Sequence, residues 1–267
     1  MLHEIIYHIK VGIYQQAQFL KGRMSYYQDF IIGAFANTLL HVVNLIFITV
    51  IFQKIPELRG WAKYEVFFIY GMSIIPFSIF NGLFSHLYFF SNLYIIEGTL
   101  DRILLRPANG LVQVYTSQVA LEDIADVILG VGIVIWASHY LSVQWGIIEI
   151  LGLILFSLCG VGIFLGIFTT LASLSFWFSD RVGLIPPVYN MIQFGRYPLT
   201  IYNPVLRFVL SWVIPFGFIG FYPSTWLIRR GEFFNVLLVS PIVAIICMVV
   251  GVITWNNGLK QYESTGS

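Results

Sequence analysis

Charge is what this sequence has least of. Asp, Glu, Lys and Arg make up 10% of 267 residues, where a soluble domain carries about 25%. A surface so poor in charge cannot be kept wet, which excludes a water-soluble globular fold for the chain as a whole. The few charges nearly cancel, at +1 net, so no long-range field draws the protein to nucleic acid. Cysteine is confined to Cys159 and Cys247, each inside an apolar run. They read as small buried hydrophobes rather than a disulfide framework, and they say little about redox compartment.

Catalytic motifs are missing too. No Gly-x4-Gly-Lys-Ser/Thr occurs, so the chain has no P-loop with which to cradle ATP phosphates. Ser85-His86 has no Gly-x-Ser-x-Gly elbow beside it, and Ser and His adjacent in sequence are not poised for nucleophilic attack. His41, His86 and His139 lack metal-site spacing and read as histidines satisfied by backbone or serine. Glu122-Asp123-Ile124-Ala125-Asp126 is one imperfect counterpart of the paired Asp-rich motifs that hold Mg²⁺-diphosphate in membrane prenyltransferases. No second motif accompanies it. The first 28 residues lack the continuous apolar core of a cleavable signal peptide. No repeat or Ser/Gly/Pro linker divides the chain, so residues 1–267 read as one domain with a short polar tail from Gln261.

What the sequence has is hydrocarbon. Apolar residues make up 58% of it, with 24 Phe, 15 Tyr and 7 Trp suited to lipid and to the headgroup boundary. Crossing a bilayer takes about 20 mostly apolar helical residues. Stretches meeting that requirement run over 31–52, 64–90, 116–140, 147–178, 204–222 and 236–255. The fourth is longer than one hydrocarbon thickness and is expected to tilt or project. The fifth is broken by Pro204, Pro215 and Pro223, which favours a broken or re-entrant helix. Ahead of the first span, Leu2, Ile5, Ile6, Ile9, Ile13, Ala17 and Leu20 recur at helical spacing. Polar residues fall mostly between them, as in a helix over 1–28 lying in the membrane surface or packed on protein.

Lys and Arg between spans suggest an orientation. With a cytoplasmic N-terminus the inner segments hold Lys10, Lys21, Arg23, Arg102, Arg106, Arg181, Arg196, Arg207 and Lys260. The outer ones hold Lys54, Arg59, Lys63, Arg229 and Arg230, and an even number of spans puts both termini inside.

Within the apolar runs, Glu122, Asp123 and Asp126 stand near the start of the third span. Carboxylates in lipid cost several kcal/mol, about +2.5 to +3.5 each on insertion scales. These must therefore face water, a partner helix or a cation, in a structural or a gating and pathway role. Glu122 and Asp126, four apart, are expected to share a face, with Asp123 about 100° away. Gly160, Gly162 and Gly166 suit a close helix–helix contact within or between subunits. Pro76 and Asn81 are expected to bend the second span.

The most informative segment is Glu97-Gly98-Thr99-Leu100-Asp101-Arg102-Ile103-Leu104-Leu105-Arg106-Pro107-Ala108-Asn109-Gly110, between spans two and three. Gly98 can end one helix, and Pro107 must end the next. That leaves a short helix with Leu100, Ile103 and Leu104 to one side. It is either a solvated loop or a docking knob, since an apolar stripe outside the membrane needs covering.

This run, Glu-Gly-x-Leu-Asp-x-x-Leu-Leu-Arg-Pro-x-Asn, resembles the permease subunits of bacterial ABC-2 type transporters, in particular the small branch that pairs two permeases with a separate ATPase. The likeness extends from the surface helix through six spans to the Pro- and aromatic-rich stretch before the last. It implies an all-α integral membrane protein with about six transmembrane helices, an N-terminal interfacial amphipathic helix and a cytoplasmic coupling helix. It further implies a multi-pass exporter of the bacterial inner membrane, bearing no cofactor itself, with ATP and Mg on an ABC ATPase subunit. Partners would be that ATPase, a second identical or related permease, and lipid. Glu97, Leu100, Asp101, Arg102, Leu104, Leu105, Arg106, Pro107 and Asn109 would form the ATPase-docking coupling helix. Glu122, Asp123 and Asp126 are candidates for gating. Residues 216–230 would form an extracellular re-entrant segment, with Phe216, Phe218, Phe221 and Tyr222 at an outer gate. The nearly charge-free interior favours an amphiphilic cargo. A gradient-driven carrier, a membrane-embedded enzyme and a scaffold are the alternatives.

Overall fold

A computed structural model describes residues 27–120, 122–178, 183–230 and 235–263. The surface helix expected over 1–28 lies almost wholly outside them. The described chain is helical, apart from one isolated bridge between Leu58 and Trp61. Five of its helices are long and apolar enough to cross a membrane. In chain order the helices are α1 (Tyr27–Lys54), α2 (Lys63–Phe84), α3 (Thr99–Leu104), α4 (Gly110–Tyr115), α5 (Asp123–Tyr140) and α6 (Ile147–Ser173). They continue as α7 (Ser175–Phe178), α8 (Ile185–Gly195), α9 (Pro204–Phe208), α10 (Phe221–Arg229) and α11 (Val236–Leu259).

The long apolar runs have no fate other than helix where backbone groups cannot reach water. Glutamate sets two of the starts. The Ala62 amide donates to Glu65 at 2.9 Å, and the Gly146 amide donates to Glu149 at 2.9 Å. Each carboxylate thereby satisfies a backbone donor and complements the positive end of its helix.

α2 is the central pillar. Every residue from Val66 to Ser78 is buried, with α5, α6 and α10 packed against it. Its Pro76 is accommodated by α6. A Cβ on Gly160 would come within 2.7 Å of Pro76 Cβ, so only glycine leaves room for the proline ring.

The α6 glycines turn out to serve a contact within the subunit. A Cβ on Gly166 would strike the Cys247 carbonyl carbon at 2.3 Å, and one on Gly251 would strike the Gly166 carbonyl oxygen at 2.8 Å. α6 and α11 thus approach backbone to backbone.

α1 contrasts with this. Only 11% of its best membrane window is buried, and Ile31, Ile32, Phe35, Leu39, Val43, Ile46 and Phe47 face outward.

One expected crossing moves. Phe176 lies beside Gly258 and packs on Tyr262, at the end of the bundle that carries the 97–109 loop. Thr200 accepts a hydrogen bond from Trp61 Nε1 at 2.8 Å, at the opposite end. The chain therefore passes from one end to the other through α8, which runs antiparallel to α2. Tyr189 meets Phe77, and Arg196 sits above Phe77 and Tyr70.

The 204–222 stretch, expected to be broken or re-entrant by its prolines, takes the re-entrant form, and the arm that continues to Arg229 finishes at the end where it started. Asn203, Pro204 and Arg207 share a cavity with Arg59, and Arg229 reaches back to Gly60. Its two helical pieces, Pro204–Val213 and Phe216–Arg229, meet at 73°. The break falls at Pro215, which lacks an amide hydrogen. This path takes Arg196 and Arg207 away from the 97–109 end, which leaves the two sides level, so the Lys and Arg count no longer distinguishes an orientation.

The α6–α11 contact gives a direct test. Gly166→Val is expected to lower the melting temperature of the detergent-solubilised protein, in line with an overpacking cost of about 1–3 kcal/mol. Gly132→Ala, where a Cβ meets nothing within 4 Å, should leave it unchanged.

Candidate functional site

Three features stand out: a knob between α2 and α5, a polar cleft within the bundle, and the wedge that starts and finishes at the far end.

The knob begins where α2 loses its regular winding, passing into a 3-10 turn at Ser85–Phe89 and a π turn at Ser91–Ile96. Gly98 then reverses the chain with φ 66°, a left-handed conformation that favours glycine. α3 follows, and α4 starts at Asn109, whose side chain accepts from the amides of Leu111 at 3.0 Å and Val112 at 3.2 Å. Gln113 ties the two helices together, its Nε2 donating to the carbonyls of Ile103 at 3.1 Å and Ala108 at 2.9 Å. The Tyr115 and Thr169 hydroxyls, 2.7 Å apart, moor the base of the knob to α6.

The C-terminal stretch closes over one side. Tyr262 donates to Asp101 Oδ1 at 3.0 Å while its ring packs on Phe176. Phe90 packs on Phe176 and Trp255, so the knob is joined through aromatic rings to α7 and α11. Burial, reinforced by the neighbouring Asp101 carboxylate, pushes the Tyr262 phenol up to about 12. A raised phenol keeps its proton, so this bond is intact at neutral pH and is lost only as pH rises through that value.

The residues expected to dock divide by position. Leu100 is fully buried beneath the knob and presents no surface. Asn109 is spent on capping α4, and Asp101 is held by Tyr262. Glu97, Arg102, Leu104, Leu105, Arg106 and Pro107 are exposed. Leu105 is 85% exposed, just past the end of α3. The most exposed apolar residue of the knob is thus the one that follows the helix, while Leu100 within the helix turns inward.

The polar cleft has a volume of ≈ 320 Å³ and lies between α1, α2, α5 and α8. Its lining includes Asn37, His41 and Asn44 from α1, Tyr70 and Asn81 from α2, Asp123 and Asp126 from α5, and Gln193 and Arg196 at the end of α8. His41 stands at its centre, with Nδ1 2.9 Å from the Tyr70 hydroxyl and Nε2 3.7 Å from Asp126 Oδ2. Arg196 lies over Phe77, 4.7 Å from the ring centroid, and 5.9 Å from that of Tyr70.

The acidic residues converge differently from expectation. Asp123 and Asp126, three apart, both reach the cleft, while Glu122 immediately precedes α5 and lies beside Gly33 of α1. Sequence reading missed His41, Tyr70 and Arg196 as one group. Their usable signal was that each is a polar residue within or beside an apolar run.

In the wedge, Phe216, Phe218, Phe221 and Tyr222 are all buried. Phe218 packs on Tyr222 at 4.6 Å and Phe216 on Phe164 at 5.6 Å, so the rings form a buried plug at the wedge end of the bundle. Two arginines fasten the returning arm. Arg229 meets Glu65 through Nε at 2.8 Å and Nη2 at 2.9 Å, donates to the Gly60 carbonyl at 2.7 Å and lies 3.8 Å from the Trp61 ring. Arg230, in a left-handed conformation at φ 40°, reaches Glu149 at 3.4 Å.

A family model described as ABC-2 family transporter protein matches residues 38–266. The chain belongs to that family. No curated protein and no solved structure matches it. An ABC-2 family membrane protein is a permease, and in this ABC-2 protein the matched region takes in the knob, the cleft and the wedge together.

Two expectations follow. In this ABC-2 protein Tyr262→Phe keeps the ring contact with Phe176 but deletes the bond to Asp101. It should speed amide exchange over Thr99–Leu104 in hydrogen-exchange mass spectrometry, while exchange in α2 stays unchanged. Arg229→Ala leaves the largely buried Glu65 carboxylate without its partner. It should cost about 1.5–3 kcal/mol, the worth of hydrogen bonds to charged groups, read as a lower unfolding midpoint in detergent.

Proposed function

We propose that this permease is the membrane subunit of an ATP-driven exporter whose knob, residues 97–109, seats in a groove of a separate ATPase subunit. The observation that carries this reading is Leu105, an apolar side chain 85% exposed and flanked by exposed Arg102 and Arg106 on a rigidly braced loop. A leucine held out on so firm a mount suits a partner that covers it. ATP and Mg would be bound by the partner, since no P-loop is present in this sequence. In this reading the knob end faces the cytoplasm, both termini lie there, and the protein resides in the bacterial plasma membrane. The wedge lies on the outer side with its aromatic plug as the outer gate. The bare face of α1 suits a second permease, identical or related, because six helices seldom enclose a path alone.

Movement has a physical route. Closure of the ATPase pair pushes the knob, which is continuous with α2 and packed through Phe90 onto Trp255 of α11. α2 holds the wedge at its far end through Glu65 and Arg229. Displacement of one pillar thus reaches both ends, and alternating access follows from shifting α2 relative to α6.

A gradient-driven carrier is the second reading, favoured by the ionisable pair His41 and Asp126 buried inside the bundle. One experiment separates the two. Affinity capture in mild detergent should recover an ATPase with wild type, and Leu105→Glu combined with Arg106→Glu should abolish recovery while membrane insertion persists. Transport that survives loss of the ATPase but stops with an uncoupler would instead establish the carrier.

A further inference from the structure

The cleft is chemically lopsided. Its α5 side carries two carboxylates, Asp123 and Asp126, and its α8 side carries the guanidinium of Arg196. Between them His41 and Tyr70 form a bridge. His41 contacts Asp126 at 3.7 Å and the Tyr70 hydroxyl at 2.9 Å, and Arg196 lies over the Tyr70 ring. The two ends are therefore separate poles of opposite sign.

Each pole also keeps an unused atom. Asp126 is 3% exposed, and its Oδ1 has no hydrogen-bond partner among the described residues; the same holds for the buried Nε of Arg196. Leaving charged groups buried and incompletely paired is costly. A ligand that supplies a cation to one and an anion to the other recovers that cost in charge-assisted bonds. Asn37, Asn44 and Gln193 add donors and acceptors along the wall. A neutral polyol would satisfy the amides but not the two opposed charges.

The rim is apolar. Leu40 lines the cleft and is 64% exposed on α1, beside the outward Leu39, Val43 and Phe47. A hydrocarbon tail leaving the cleft there would lie along the outward apolar face of α1.

We propose that this cleft binds an amphiphile with a zwitterionic headgroup, its ammonium against Asp126 and its anionic group against Arg196. This rests on the permease reading only for its meaning as a cargo site. Binding itself is a property of this chain alone, so the two stand or fall by different measurements.

The test is native mass spectrometry of the purified chain in a nonionic detergent, titrated with lysophosphatidylethanolamine, lysophosphatidylglycerol, dodecylamine and dodecyl maltoside. Wild type should bind the zwitterion about tenfold more tightly than any of the others, the worth of one additional charge-assisted contact. Arg196→Gln should lose that advantage while retaining dodecylamine binding. Asp126→Asn should lose it while retaining lysophosphatidylglycerol. Equal affinity for all four probes, a singly charged probe bound best, or a preference unmoved by both variants would overturn the proposal. Should either variant fail to elute as a monodisperse peak, the wild-type ranking and the remaining variant decide it. ATPase capture through Leu105 is independent of every arm.

Discussion

Between Val66 and Ser78 the second helix has no face left for lipid. That constraint organises the molecule. A helix surrounded by protein must satisfy its neighbours through shape, since hydrocarbon offers no hydrophobic gain for burying one apolar surface against another. The neighbours comply by thinning themselves at the contact. Gly160 yields to Pro76, Gly130 approaches Gly71, and Gly220 admits the Ser73 hydroxyl. The same pillar leads at one end into the knob and at the other receives the wedge. A helix that is buried, carries a proline at its centre and is attached to both working parts is suited to carry displacement over its length.

The polar groups are segregated to where this pillar lets water or partners approach. At the wedge end the carboxylates of Glu65 and Glu149 serve twice, once on a helix amide and once on an arginine. In the middle, His41 lies between Asp126 and the Tyr70 hydroxyl, with Arg196 on the far side of the cleft. At the knob end, amide and hydroxyl bonds to main-chain carbonyls replace ion pairs, leaving Arg102 and Arg106 facing outward.

How much of this was legible depended on whether the controlling interaction was local. The long spans were readable because a run of about twenty apolar residues has one stable outcome in lipid. The knob was readable because Gly98 and Pro107 punctuate it and four charges mark it in a chain otherwise poor in them. The crossing made by α8 was not, because its 11 residues include Pro186, Pro187, Asn190 and Gln193. A stretch so short and polar passes for a loop until the aromatic surface of α2 is there to receive it. The direction of Leu100 was misread for a similar reason. Its helical stripe is real, but only its Leu100 end packs fully inward, while Leu104 and Leu105 at the helix end stay exposed. The cleft is a tertiary product of four segments, and spacing within one of them carries no trace of the others.

Two consecutive arginines at the end of α10 grip the starts of two different helices, and they do so unequally. Arg229 holds α2 through two short contacts to Glu65 and the face of Trp61, largely shielded from solvent. Arg230 holds α6 through a single 3.4 Å contact with its side chain 72% exposed. The pair behaves like a caliper with one jaw soldered and the other resting. When α2 and α6 part, the Arg230 jaw releases first and the wedge travels with α2. On the proposed mechanism, opening at this end would accordingly be a one-sided swing about Trp61 and Glu65.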